Sequence, residues 1–112
     1  MSIKTQRIAS NIIKEISYIL AYEVKDSDIK FVTVTDCKLT TDLSYAKIYV
    51  TVLDNSKKES TLKALKDASS FIRRELANRV DIRHVPELDF VYDESIEYGK
   101  KIEDIIEKIH ED

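Results

Sequence analysis

The sequence predicts an α+β domain in which helices cover one side of a three-stranded sheet. Three observations carry that prediction. Apolar residues recur at three- and four-residue steps in an early and a central segment, the period of a helix with one buried face. Between those segments, two short stretches are dense in β-branched residues or alternate strictly, as strands do. After the central segment the only proline, Pro86, breaks the chain before a third short apolar run.

Taken in order, residues 4–24 read as an amphipathic helix. Ile8, Ile12, Ile16 and Ile19/Leu20 form its stripe, Ile13 widens it, and Lys4, Arg7, Lys14 and Glu15 stay in water. Asp26-Ser27-Asp28 is turn chemistry that ends it. Residues 31–39 and 45–53 read as strands joined by a connection short enough for an antiparallel hairpin. In the second, Ala46, Ile48, Val50 and Val52 point one way and Tyr45, Lys47, Tyr49 and Thr51 the other. The aliphatic side is expected against the helices, the tyrosine side wetter. Ser56-Lys57-Lys58-Glu59 matches a capping box. The helix it opens is expected to run to about residue 80, with Leu62, Leu65, Ile72 and Leu76 on its buried side. Ser69 falls where that seam wants an apolar residue. Ala68-Ser69-Ser70 is therefore a soft spot, able to bond its own backbone in competition with the helix. Residues 88–92 read as the third strand. Beyond Gly99, the only glycine, Ile102, Ile105, Ile106 and Ile109 lie at helical spacing in a short acidic segment. The expected organisation is one domain over residues 1–96, with an acidic amphipathic helix or tail over 97–112.

Length and composition fit this picture. A chain of 112 residues suits one domain and buries roughly two-thirds of its unfolded surface, enough for a core without metals or disulfides. Hydrophobic residues make up 43% and charged residues 35%, the balance of a soluble globular protein. Cys37 is the single cysteine, so no internal disulfide can form. Asn11, Lys14 and Glu15 interrupt the early apolar run, and no segment reaches the length of a membrane span, so a cytoplasmic protein without a signal peptide is expected.

The net charge of −3 and pI of about 5.4 speak against nucleic acid at first sight. The distribution says otherwise. Residues 1–55 carry seven basic and seven acidic side chains; residues 56–86 carry eight basic against four acidic, giving +4. Residues 87–112 carry three basic against ten acidic, giving −7. A basic middle followed by an acidic end is hidden by a global pI.

The order α-β-β-α-(kink)-α-β is the one found in type II KH domains, and particular residues narrow the resemblance. The runs Phe31-Val32-Thr33-Val34-Thr35-Asp36, Asp42-Leu43-Ser44-Tyr45-Ala46-Lys47-Ile48-Tyr49-Val50-Thr51-Val52 and Pro86-Glu87-Leu88-Asp89-Phe90-Val91-Tyr92-Asp93-Glu94-Ser95-Ile96 closely resemble the pattern of the ribosome-binding factor A family. The stretch from Asp42 to Val50 is the family's most diagnostic, and the resemblance extends from about Arg7 to Ile109. It implies a KH-like, non-enzymatic protein that associates with free small ribosomal subunits late in assembly. It also implies contact with small-subunit ribosomal RNA, help in maturing the ends of that RNA, and importance for growth in the cold. An ordinary KH domain grips nucleic-acid backbone with a Gly-x-x-Gly loop, which a chain with one glycine elsewhere cannot build. The family has an interhelical kink in its place, usually Ala-x-Gly. The matching residues are Ala68, Ser69 and Ser70, and the serine in place of glycine leaves the sharpness of that kink open.

Each candidate site has a plainer occupation beside it. Lys63, Lys66, Arg73, Arg74, Arg79 and Arg83 suit RNA phosphates, since Arg and Lys neutralise them and release counterions. Their plainer role is a solvated helix face with pairs such as Lys63–Asp67. Ser69 and Ser70 can offer backbone N–H groups to a phosphate where the helix breaks, or form a simple soft joint. Tyr45 and Tyr49, on one strand face with Lys47, can stack unpaired bases, though tyrosines there more often pack against neighbours. Asp42 and Ser44 are read as turn residues. Asp93-Glu94-Ser95 is read as ending the third strand and capping the segment after it. Cys37 is read as a small buried hydrophobe.

His84 and His110 stand far apart with no zinc spacing, and one glycine permits no phosphate loop or dinucleotide fingerprint. No catalytic cluster, metal site or cofactor is expected. The expected partners are the small ribosomal subunit and its RNA, met as a monomer, with no small-molecule substrate and no membrane. The alternative is a protein-interaction or regulatory module of the same architecture, whose binding would depend weakly on salt.

Overall fold

The structure, a computed structural model, describes residues 3–29 and 31–95. Its elements are α1 (Ile3–Tyr22), β1 (Val32–Leu39), β2 (Tyr45–Val52), α2 (Lys58–Asp67), α3 (Ser69–Ala77) and β3 (Glu87–Tyr92). Short 3-10 turns at Ser27–Ile29 and Asn55–Lys57 precede β1 and α2. This is the predicted order. The expectation for residues 97–112 lies outside the described residues.

The sheet order is β1-β2-β3. β1 and β2 pair antiparallel across the hairpin, while β3 pairs parallel to β2. A parallel return needs a long crossover, and α2 and α3 supply it. The alternation in β2 works as predicted: Ala46, Ile48 and Val50 are fully buried, while Tyr45, Lys47 and Tyr49 face the other way. Ile12, Ile16 and Ile19 of α1 and Leu65, Ile72 and Leu76 of α2–α3 meet that aliphatic face. Each fully buried side chain of this size contributes roughly 2 kcal/mol.

β1 holds a β-bulge. Val34 pairs with Val50 but Asp36 pairs with Tyr49, so Thr35 is the extra residue. Val34 before the bulge and Cys37 and Leu39 after it are all buried, although their positions differ in parity. Without the extra residue the pleat would turn Asp36 and Lys38 into the core.

Several boundaries differ from the sequence-based expectation; α1 ends at Tyr22 and β2 at Val52, and three further differences have a local cause. Phe31 is not a strand residue: its φ is 61° and its ring is exposed. The capping box at Ser56 and Glu59 does not form. The Asp54 carboxylate accepts from the Ser56 N–H at 3.0 Å and the Ser56 hydroxyl at 2.7 Å, so the serine is spent one turn early. These hydroxyl and amide bonds hold the Asp54 carboxyl below the usual range. α2 then starts at Lys58 without a side-chain cap. Finally, α3 ends at Ala77; Val80 is buried in the connection beyond it.

Candidate nucleic-acid interface

α2 and α3 bury Thr61, Ala64, Leu65, Ile72 and Leu76. A period of 3.6 residues then leaves Lys63, Lys66, Ser70, Arg73 and Arg74 on the exposed side. Two contacts fix the orientation of this pair. The buried Thr61 hydroxyl donates to the Asp28 carbonyl at 2.7 Å, tying α2 to the turn before β1. Arg73 donates from Nε to the Pro86 carbonyl and from Nη2 to the Val85 carbonyl, both at 3.1 Å, fastening α3 to the chain entering β3.

The helices part at Ala68, whose φ of −87° and ψ of −1° leave the ordinary helical well. The Ser69 hydroxyl donates to the Lys66 carbonyl at 2.7 Å. This is local competition of serine with the helix, as the soft spot predicted. Phe31 and Leu43 are the positive-φ residues of the described chain, so the break uses no left-handed residue. Glycine is not required, and Ser70 sits exposed in the first turn of α3.

The other sequence candidates go elsewhere. Arg79 lies just beyond α3 and turns inward, with Nη2 2.7 Å from Glu23 and 3.8 Å from Glu75, and Nη1 3.8 Å from Glu15. Its guanidinium carbon lies 4.9 Å from the Tyr18 ring centre. It clamps α1 to α3 and is not on the exposed face. Arg83 is exposed in the connection between α3 and β3. Lys47 is half-buried on the opposite face of the sheet, directly across from Lys38 on one side and Asp89 on the other. The Tyr45 hydroxyl donates to Asp89 at 2.7 Å, which raises the phenol's pKa. Lys38 lies over the Tyr49 ring at 5.4 Å. Both tyrosines thus have neighbours to pack against. Lys38 escaped the sequence reading because cross-strand register has no local signal.

Asp42 and Ser44 form the turn expected of them. Asp42 accepts from the Ser44 hydroxyl at 2.7 Å, the Thr40 hydroxyl at 2.8 Å and the Ser44 N–H at 3.1 Å. These bonds, the Ser44 hydroxyl foremost, hold its carboxyl below the usual range. At the other end of the sheet, Asp93 accepts from the hydroxyls of Ser95 and Thr35, which lower its carboxyl in that order. Burial, and secondly the Asp36 carboxylate, push the Cys37 thiol up to about 11. Among the described residues no group of His, Cys, Asp or Glu could hold a metal ion, and no helix is long and apolar enough to cross a membrane.

Known proteins resemble this chain in sequence and fold. A protein from Staphylococcus epidermidis named ribosome-binding factor A is 48% identical over 110 residues, covering 97% of this chain and 95% of that protein. One of the same name from Staphylococcus carnosus is 48% identical over 108 residues, covering 96% and 94%. The crystal structure of ribosome-binding factor A from Thermus thermophilus superposes with a TM-score of 0.69 at 27% identity, covering 79% of this chain and 94% of that one. The model of the family described as ribosome-binding factor A matches residues 4–106, which take in the whole sheet, its helices and the broken joint at Ala68. With sequence and fold in agreement along that length, the chain belongs to the ribosome-binding factor A family.

Proposed function

We propose that this protein binds the free, immature small ribosomal subunit and contacts its RNA through the exposed face of α2 and α3. The observation that carries this reading is the row Lys63, Lys66, Arg73 and Arg74, exposed on both sides of the break at Ala68, in a member of this family. Four cations on one face neutralise phosphates along a shaped RNA backbone. Ser69 and Ser70 lie between them, where backbone and hydroxyl groups approach a phosphate closely. Arg83 extends the basic row into the next connection, while Arg79, held by three carboxylates, and Lys47, on the far side of the sheet, stay out of it.

The mechanism is differential affinity. The protein favours one immature conformation of the subunit RNA and is released when that conformation matures; such a population shift needs neither catalysis nor a cofactor. In this reading it acts in the cytoplasm as a monomer, assists late assembly and maturation of the RNA ends, and matters most in the cold, where misfolded RNA escapes slowly.

Co-sedimentation with separated small subunits, large subunits and joined ribosomes at two salt concentrations tests the proposal. Retention on small subunits, weaker at high salt and lost on joined ribosomes, is expected. No retention on any particle at low salt would overturn it in favour of a protein-interaction module.

A further inference from the structure

Helix α1 turns Thr5, Ala9, Ile12, Ile16, Ile19 and Leu20 into the core. On its opposite side Lys4, Arg7, Asn11, Lys14, Tyr18 and Tyr22 follow one another at three- and four-residue steps, and all are exposed. At about 100° per residue they fall within a sector of about 80°, a stripe roughly 27 Å long.

The charge on this stripe does not serve the helix. α1 has no acidic residue in its first turn and no basic residue in its last. Lys4 and Arg7 instead stand near the positive end of the helix dipole, where cations are unfavourable. Glu15 is the one acidic residue of α1; it is half-buried, lies off the stripe and is held by Arg79 at 3.8 Å. Three cations with no carboxylate of their own helix on their face suit an anion from outside the chain.

The tyrosines indicate which anion. Tyr22 is 74% exposed and Tyr18 47%, with ring centres 4.9 Å apart and planes tilted by 47°. The Arg79 guanidinium lies 4.9 Å from the Tyr18 ring centre and steadies that ring. Tyr22, one turn further on, leaves most of its ring in water. Cations leading to exposed rings suit a single nucleic-acid strand, with phosphates on the cations and an unpaired base on a ring. An acidic peptide would use the cations and leave the rings idle.

This stripe is separate from the row on α2 and α3. Arg79 with Glu15, Glu23 and Glu75 occupies the seam between α1 and α3, three carboxylates around one guanidinium. A phosphate backbone passing from one row to the other would meet that excess of negative charge. The two rows therefore take different segments.

We propose that the exposed stripe of α1 is a second RNA contact, holding an unpaired stretch of the subunit RNA with a base stacked on Tyr22. The inference rests on reading the protein as an RNA binder. Gripping a folded segment on one face and an unpaired one on the other ties recognition to RNA whose pairing is incomplete.

The test measures fluorescence anisotropy of a labelled, unstructured oligouridylate of about 12 nucleotides with the full chain, beside retention on small subunits. Tyr22→Leu should weaken oligonucleotide binding about tenfold, and Tyr22→Phe should leave it unchanged, since a phenyl ring still stacks. Lys14→Glu should weaken it and lower its salt slope by about one, whereas Arg74→Glu should spare it. These positions are exposed, so urea midpoints should move little. Equal binding by Tyr22→Leu and the unaltered chain would overturn the proposal, as would a loss confined to Arg74→Glu. Absent oligonucleotide binding at low salt, with small-subunit retention intact, would overturn it and leave the ribosomal reading standing. Absence of both would overturn the two together. Competition by oligoglutamate as effective as by unlabelled oligouridylate would assign the stripe to an acidic protein segment, and would overturn it equally.

Discussion

Arg79 donates from Nη2 to Glu23 Oε1 at 2.7 Å, locking the residue just beyond α3 onto the end of α1. Glu15 and Glu75 approach the same guanidinium at 3.8 Å, and the Tyr18 ring lies against it. Removing the cation would leave three carboxylates clustered around a partly buried site.

Arg79→Ala should therefore lower folding stability by about 2 kcal/mol. Lysine keeps the charge but not the planar fork, so Arg79→Lys should recover part of the loss. Urea unfolding measures both. Subunit binding by the folded variants should stay unchanged, since three carboxylates already hold this guanidinium away from the exposed row.

The exposed row behaves in the opposite way. Lys66→Glu and Arg74→Glu should leave urea midpoints nearly in place and weaken binding to small subunits. Each should reduce the slope of log affinity against log salt by about one. Arg73→Ala should do both, weakening binding and costing about 1 kcal/mol through the lost bonds to Val85 and Pro86. Lys47→Glu serves as the control, with little change expected in binding.

Ser70→Gly tests whether the joint wants a glycine. No residue from Ala68 to Ser70 has a positive φ, so the freedom of glycine has no use there. The substitution should lower stability by about 0.5 kcal/mol, the difference in helix propensity, and leave the break in place. Thermal unfolding reads the first effect and amide chemical shifts across Ala68 the second.

Cys37 should react with a thiol reagent at neutral pH only as fast as the chain opens, because burial holds its thiol near 11. Linkage sets the sign of the accompanying pH effect. A thiol whose folded pKa lies above its unfolded one favours folding while neutral, and that contribution disappears as pH rises from the ordinary thiol range toward 11. Unfolding midpoints of the protein and of Cys37→Ala, compared across that interval, should converge as pH rises.

Much of this molecule is legible in its amino acids. The isoleucine spacing of α1, the alternation of β2 and the serines after Ala68 each state a local preference that the fold obeys. The β1 bulge was legible too, as apolar positions changing from Val32 and Val34 to Cys37 and Leu39, but β-branched density alone concealed it. Asp54 takes the Ser56 N–H and hydroxyl in place of Glu59, because an Asp bonds the backbone two residues on in a local turn that needs no helix. Arg79 shows the other limit. Its pair with Glu75 lies only four residues away in the chain, whereas Glu15 and Glu23 are distant in sequence.

By itself the sequence determined the element types, the face each one buries, and a basic middle before an acidic end. These come from side-chain periodicity and composition, which act locally. Only the tertiary structure decided which cations share a surface. Packing of α1 against α3 drew Arg79 into a carboxylate cage, and strand pairing put Lys47 beside Lys38 on the far face of the sheet. Lys63, Lys66, Arg73 and Arg74 remained exposed. Charge has no period of its own, so its arrangement in space depends on how the apolar faces close.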